Sequence, residues 1–447
     1  VAAVVAATLA SRWALLGRDD TASGYDAWYY VLQVRSLADG VDLFGDDSWA
    51  FPLLGLAAAV TGDVVLGNEL VAAGSAAAVA GLLCAAGLRL GGWSGGLVAG
   101  AWAAASTGHL SLSAEFLKNA VGAVPLAACA WLLTHDRRSS WALALFAAAV
   151  AAQVHKLSGA LALGLWAVCV GARLASRAPR TLWWAAPMGA VVVVGLASVG
   201  VLGPDDLARR MSWAGPADRW AGLSRLPGVE AAEMGLAMTS PALAAAAWWR
   251  GQPGPLMTGL AALGLVCAAP GLPFSFDELS WRLLVMGFVP LALALAALKP
   301  SPAVALAASA ALVAVGATNV ESHGRRGPDY GAWEAHLATI RDAVPPDHRL
   351  VAHRGLCGFL WAEGGRRCTN FEPEPPLDEV WRVVYGFSAA SLDGYGEPVP
   401  LPSGYLLLPE EDWQAFRAAK GDAYPLAFDP RNPYRPAPVY VRQALQP

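Results

Sequence analysis

From Val1 to about residue 319 the chain is a succession of apolar runs divided by short polar turns, and this pattern limits its fold more than any other feature. A bilayer core roughly 30 Å thick is crossed by about 20 apolar residues in a helix. In lipid every backbone N–H and C=O must find a partner within the protein, which leaves helices or closed barrels. Suitable runs lie near 1–16, 64–88, 94–107, 116–133, 140–155, 157–175, 181–202, 231–249, 255–270, 279–298 and 301–318. They predict about eleven transmembrane helices. The run 51–61 is too short to cross and reads as a half-helix leading into the second span. Residues 320–447 change character and carry many Arg, Asp, Glu and Pro. Only 15% of the whole chain is charged and 56% is hydrophobic, whereas soluble domains carry about 25% charged residues. The predicted architecture is an all-α polytopic membrane domain over 1–319, with an outer loop at 17–50, followed by a small α/β domain over 320–447. The chain opens on Val1, already inside an apolar run, as a sequence trimmed at its start would.

Charge sets the expected orientation. With residue 1 on the cytoplasmic side, the cytoplasmic loops hold Arg89, then Arg137 and Arg138, then Arg173, Arg177 and Arg180, then Arg250, then Lys299. Each of these short loops carries a cation, which is the positive-inside pattern. The outer face then receives loop 17–50, the turn 108–115, the turn at His155, the loops 203–230 and 271–278, and the C-terminal domain. The expected location is the cell (plasma or inner) membrane, multi-pass, with that domain outside the cytoplasm. A net charge of −4 leaves no footprint for nucleic acid.

The tail reads as α/β. Helices are predicted at 329–343, 356–363, 377–390 and 409–419, and strands at 349–353, 405–409 and 439–443. No GxGxxG or Walker loop occurs, so nucleotide binding is not expected there. Cys84, Cys129, Cys169 and Cys267 sit singly in apolar runs as small buried hydrophobes. Cys357 and Cys368 are the two in the tail, and outside the cytoplasm they are candidates for a disulfide.

A charged side chain at membrane depth is costly and therefore a functional candidate. In the first outer loop Asp26 stands among Tyr25, Trp28, Tyr29, Val31 and Leu32, at the start of a helical pattern over 25–38. A carboxylate at such an aromatic interface is partly desolvated and a stronger base; it would also serve as an N-cap of an interfacial helix. In the second outer turn Glu115, Lys118 and Asn119 run into an apolar span, where Glu115 and Lys118 have the spacing of a surface ion pair. His155 and Lys156 interrupt an apolar stretch, as a functional pair or as a polar turn. Arg282 lies a turn inside a span, where it can hold a phosphate or snorkel to the interface. Acids with several cations at one lipid–water boundary suit a reaction on a lipid-linked phosphate. Cations offset the leaving-group charge and a carboxylate deprotonates the acceptor hydroxyl.

This constellation resembles the GT-C membrane glycosyltransferases, which include oligosaccharyltransferases, protein O-mannosyltransferases and lipid A aminoarabinose transferases. Their first outer loop carries an essential acid in a pattern similar to Asp26, Trp28, Tyr29, Arg35, Gly40, Trp49, Pro52 and Leu53 here. Glu115 in SAEFLKN takes the place of the family's second acidic motif, and Arg282 that of a late arginine that contacts lipid phosphate. The likeness spans roughly 1–320 in layout. The acceptor motif WWDYG is absent, and the second motif holds one acid rather than a pair, so N-linked oligosaccharide transfer is not expected.

The resemblance implies an inverting transferase that moves a sugar from a polyprenyl-phosphate donor to an acceptor hydroxyl on the outer face. Asp26 and Glu115 would be catalytic, with any divalent metal (Mg or Mn) shared between them. Lys118, Asn119, His155, Lys156 and Arg282 would bind substrate. The expected partners are the bilayer, the lipid-linked donor and an acceptor of unknown identity. The rival readings are a lipid or small-solute transporter (flippase), and a non-catalytic membrane scaffold.

Overall fold

The computed structural model describes residues 1–17, 22, 27–40, 46–177, 228–268, 278–324, 330–352, 354–369, 376–385 and 387–420. Asp26, the span predicted at 181–202 and the strand predicted at 439–443 lie outside the described residues. The chain divides into two compact units, one of Val1–Asp20 with Asp46–Arg326 and one of Thr21–Gly45 with Gly327–Pro447.

The described helices of the chain are α1 (Ala2–Leu16), α2 (Ala27–Ala38), α3 (Ala50–Thr61), α4 (Val64–Ala105), α5 (Thr107–Glu115), α6 (Leu117–Leu133), α7 (Arg138–Val154), α8 (Lys156–Arg177), α9 (Gly228–Met238), α10 (Ser240–Trp249), α11 (Gly254–Cys267), α12 (Glu278–Val285), α13 (Phe288–Ala297) and α14 (Pro302–Gly324). All but α2 belong to the first unit. Val64–Ala105, Lys156–Ser176 and Pro302–Val320 are long and apolar enough to cross a membrane, and six shorter helices of the unit are also apolar. The unit is a membrane protein by this composition.

Helix α4 has 42 residues, about 63 Å at 1.5 Å per residue, twice a bilayer core. Non-helical angles at Gly91 and Gly92 divide it, where the sequence separates runs 64–88 and 94–107. The two arms fold back on each other. A Cβ on Gly87 would stand 2.6 Å from the Gly95 carbonyl, and one on Gly95 2.7 Å from that of Gly87. Small residues of this kind let helices approach closely without a hydrophobic drive between them. Around this hairpin pack α1, α3, α6, α13 and α14, while α8 joins α6 and α7 to α11. The shared core is built from Leu83, Leu126, Leu165, Leu260 and Phe288 with many alanines.

Three predicted elements of this unit differ. The turn expected at 108–115 is the helix α5, capped at its start by Ser106 Oγ accepting from the His109 amide. The spans expected at 231–249 and 279–298 are each two helices, broken at Thr239 and at Met286–Gly287. Pro241 and Pro290 lie just beyond the breaks, and a proline ring cannot donate to, and clashes with, the carbonyl four residues back.

The second unit adds α15 (Tyr330–Ala343), β1 (Arg349–Val351), α16 (Arg354–Ala362), β2 (Cys368–Thr369), β3 (Val380–Tyr385), β4 (Val399–Leu401), β5 (Tyr405–Pro409) and α17 (Glu410–Lys420). The strand order is β2-β1-β3-β5-β4. Strand β1 runs parallel to β2 and β3, while β5 runs antiparallel to β3 and β4. The helix predicted at 377–390 is thus largely a strand, β3. Its VWRVVY is β-branched and aromatic, and Val380, Val383 and Val384 are buried. Cys357 and Cys368 form a disulfide that ties α16 to β2, with Cα atoms 5.2 Å apart.

Helix α2, from the loop that the sequence assigns wholly to the membrane domain, packs on α16. Trp28 meets Phe359 edge-on at 5.3 Å. Gly358 makes room for it, since a Cβ there would stand 2.7 Å from the Trp28 Cβ. Arg35 closes the far end by donating to the Ala362 carbonyl at 2.9 Å and to Glu363 at 3.3 Å.

Candidate functional site

Three chain junctions in the first unit bring charged side chains together. The first is the segment that enters α3. The Ser48 amide donates to Asp46 Oδ1 at 3.2 Å, an Asx turn that aims the carboxylate. Ser48 Oγ donates to the Val154 carbonyl and accepts from the Ala50 amide, and the Trp49 amide donates to the Gln153 carbonyl at 3.1 Å. These bonds satisfy carbonyls at the end of α7 that no intrahelical donor reaches. They also pin Asp46 beside the α7–α8 junction.

The second junction is between α5 and α6. Phe116 leaves the helical region (φ −126°, ψ 64°), so Glu115 ends one helix and Lys118 opens the next. The Lys118 ammonium forms an ion pair with Asp46, both side chains about one-fifth exposed, and lies 5.6 Å from the Phe51 ring centroid. Asn119, next on α6, is buried, and its Oδ1 accepts no hydrogen bond.

The third is His155, extended between α7 and α8. Its Nδ1 is buried without a hydrogen-bond partner. Burial, then the charges of Arg282 and Lys118, push its pKa down to about 3, with Asp46 acting the other way and Lys156 adding to the lowering. The ring is therefore neutral at physiological pH and faces three cations and one carboxylate. Gly122 on α6 allows this seat, since a Cβ there would come 2.8 Å from Ser158 Oγ and 3.1 Å from the His155 Cβ. Arg282, on α12, lies 5.2 Å over the Phe116 ring.

Of the residues singled out in the sequence, Lys118, His155, Lys156 and Arg282 are gathered here, with Asn119 on the same helix as Lys118. Glu115 ends α5, one residue before the Phe116 ring on which Arg282 lies. Asp26 lies outside the described residues, and so does its part in any metal shared with Glu115. Among the described residues no three His, Cys, Asp or Glu side chains converge as a metal site. Asp46 is the member that sequence reasoning missed. Nothing local separates it from Asp42 or Asp47; its place is set by the Ser48 bonds to a helix end about a hundred residues away.

Arg282 and Lys156 stand with the Lys118–Asp46 pair around the neutral imidazole. Such a group can receive a phosphate, with guanidinium and ammonium donors for its oxygens.

No family model matches the chain, and no curated protein matches it. Among solved structures, the crystal structure of ArnT from Cupriavidus metallidurans in the apo state is similar over 91% of this chain and 97% of that one, with 14% identity and a TM-score of 0.43. A likeness at this score decides neither fold nor function.

Proposed function

We propose that the chain is a membrane glycosyltransferase of the GT-C kind, which moves a sugar from a polyprenyl-phosphate donor to an acceptor hydroxyl on the outer face of the cell membrane. The observation that carries the reading is the grouping of Lys118, Lys156 and Arg282 about the half-buried neutral His155, from segments far apart in the chain. In this reading the acceptor oxygen attacks the anomeric carbon while the bond to the phosphate oxygen breaks. The acceptor proton passes to Asp26, with Glu115 in support. The phosphate charge that develops is met by Arg282, Lys118 and Lys156. His155, being neutral, contributes a hydrogen bond rather than a charge, and Asn119 an amide. The Asp46 carboxylate is engaged by Lys118, and in this reading the base is Asp26. Eleven spans with the C-terminal domain outside the cytoplasm complete the proposed topology.

The test is turnover of lipid-linked sugars by the full chain in lipid nanodiscs. Asp26→Asn is expected to lower kcat by about 10²–10⁴-fold, the usual worth of a positioned base. Near-parental turnover removes Asp26 from the mechanism.

A second reading, a transporter of a lipid or solute, is favoured by the helix breaks at Ser106, Thr239 and Met286–Gly287, since transporters build their sites on discontinuous helices. Flux of a lipid-linked sugar across proteoliposomes, without transfer to an acceptor, would select it.

A further inference from the structure

The break between α4 and α5 is closed on both sides by side chains from distant elements. The last carbonyls of α4 accept one donor each. His109 Nδ1 donates to Ala103 at 2.7 Å, Arg12 Nη2 to Ala104 at 3.0 Å and Asn319 Nδ2 to Ala105 at 3.0 Å. The first amides of α5 turn to one carboxylate. Glu233 on α9 accepts from the Thr107 amide at 2.6 Å and the Gly108 amide at 3.3 Å, and from the hydroxyls of Ser106 and Thr107. Arg12 and His109 are almost wholly buried, and the charge of Arg12 acts on Glu233. One cationic donor, Arg12, meets the negative helix end and a carboxylate the positive one, as the helix dipoles favour.

What this node holds is a lever. Helix α5 is nine residues long, and the chain leaving its far end carries Glu115, Phe116 and Lys118. Its flank rests on the segment that carries Arg282. A Cβ on Gly108 would stand 2.5 Å from the Val285 carbonyl, and the His109 ring stacks on Phe288 at 4.7 Å. A change in the seating of α5 therefore reaches Lys118 directly and Arg282 through Val285.

We propose that Glu233 is a positioning residue: by gathering four donors at the start of α5 it sets where that helix delivers Lys118 and Glu115. Its consequence for catalysis rests on the transferase reading; its effect on Lys118 does not. Replacing the carboxylate by an amide places an NH₂ group against backbone N–H donors, so Glu233→Gln breaks part of the seat with little change of volume.

The chain has four lysines, Lys118, Lys156, Lys299 and Lys420, so an amine-reactive label read by peptide mass spectrometry reports each one. In the full chain in nanodiscs, Glu233→Gln is expected to speed labelling of Lys118 relative to Lys299 and Lys420 by at least about fivefold, the factor given by ~1 kcal/mol of lost positioning. The variant Thr107→Val removes one hydroxyl donor to Glu233 and keeps the backbone bonds and the Ser106 cap, and a smaller rise is expected. It carries the test if Glu233→Gln does not fold. An unchanged Lys118 rate in a folded variant overturns the proposal. If Lys118 responds while the parent protein turns over no lipid-linked sugar, Glu233 positions α5 and the transferase reading fails. If turnover is present, Glu233→Gln should lower kcat and raise the donor KM together, because Glu115 and Lys118 move as one.

Discussion

Burial and the charges of Arg282 and Lys118 hold the His155 pKa near 3, against an ordinary value of 6.5. The unfolded chain therefore binds a proton at this residue between about pH 6.5 and 3 that the native protein does not. Stability rises with pH wherever the unfolded state binds more protons, so His155 costs stability as the pH falls below about 6.5. His155→Asn is expected to lose less thermal stability between pH 7 and pH 4.5 than the parent, as read by unfolding scans in detergent. An equal loss in both would place the acid sensitivity elsewhere. In the second unit Glu410, fully buried, is held by Arg382 through Nε–Oε2 at 2.6 Å and Nη2–Oε1 at 2.9 Å. Removing Arg382 leaves the buried carboxylate a neutral donor, the Gln414 amide, in place of its cation, so Arg382→Ala should destabilise that unit by about 3 kcal/mol, the low end for a broken buried pair. Denaturant unfolding followed by the neighbouring Trp413, whose ring lies 5.8 Å from the guanidinium, reports this loss directly.

Elements formed where the sequence pattern was strong and were misread where packing decided. The apolar runs of α1, α6, α7, α8 and α11 were legible because lipid demands continuous apolar helix, and the gap between runs 64–88 and 94–107, with Arg89, marked the division of α4. Helix α5 was not. Its TGHLSLSAE is polar and reads as a turn, but Glu233, Ser106 and the buried His109 give its polar groups partners inside the protein. Strand β3 reads as helix in the sequence because six apolar-rich residues carry too few turns to distinguish the periods; its place between β1 and β5 makes it a strand. The candidate site was legible as residue types, since cations at the ends of apolar runs are conspicuous. Asp46 and Glu233 were not, because each owes its place to a partner distant in sequence. The Cys357–Cys368 link was legible as a candidate from composition alone. It closes a short loop between α16 and β2, and Cys357→Ser with Cys368→Ser should cost about 2–3 kcal/mol, measured as a lowered unfolding midpoint of the tail.

At the scale of the whole molecule the two units are not two halves of the chain. The C-terminal unit includes Thr21–Gly45 from near the start, and Trp28 within it is 2% exposed. A fragment of residues 327–447 lacks that helix and leaves the face of Phe359 and Gly358 uncovered. Fusing residues 21–45 to the fragment through a flexible linker should raise its unfolding temperature and suppress association, read by scanning fluorimetry and light scattering. Equal behaviour of the two fragments would mean that α2 adds nothing to the tail.

The same arrangement imposes an order on biosynthesis. Helix α2 emerges from the ribosome long before α16, which meets Trp28 and is made only after α14 has been translated. At about 5–20 residues per second the delay is on the order of 15–60 s. For that interval Trp28 lacks the Phe359 and Gly358 surface that meets it in the folded protein.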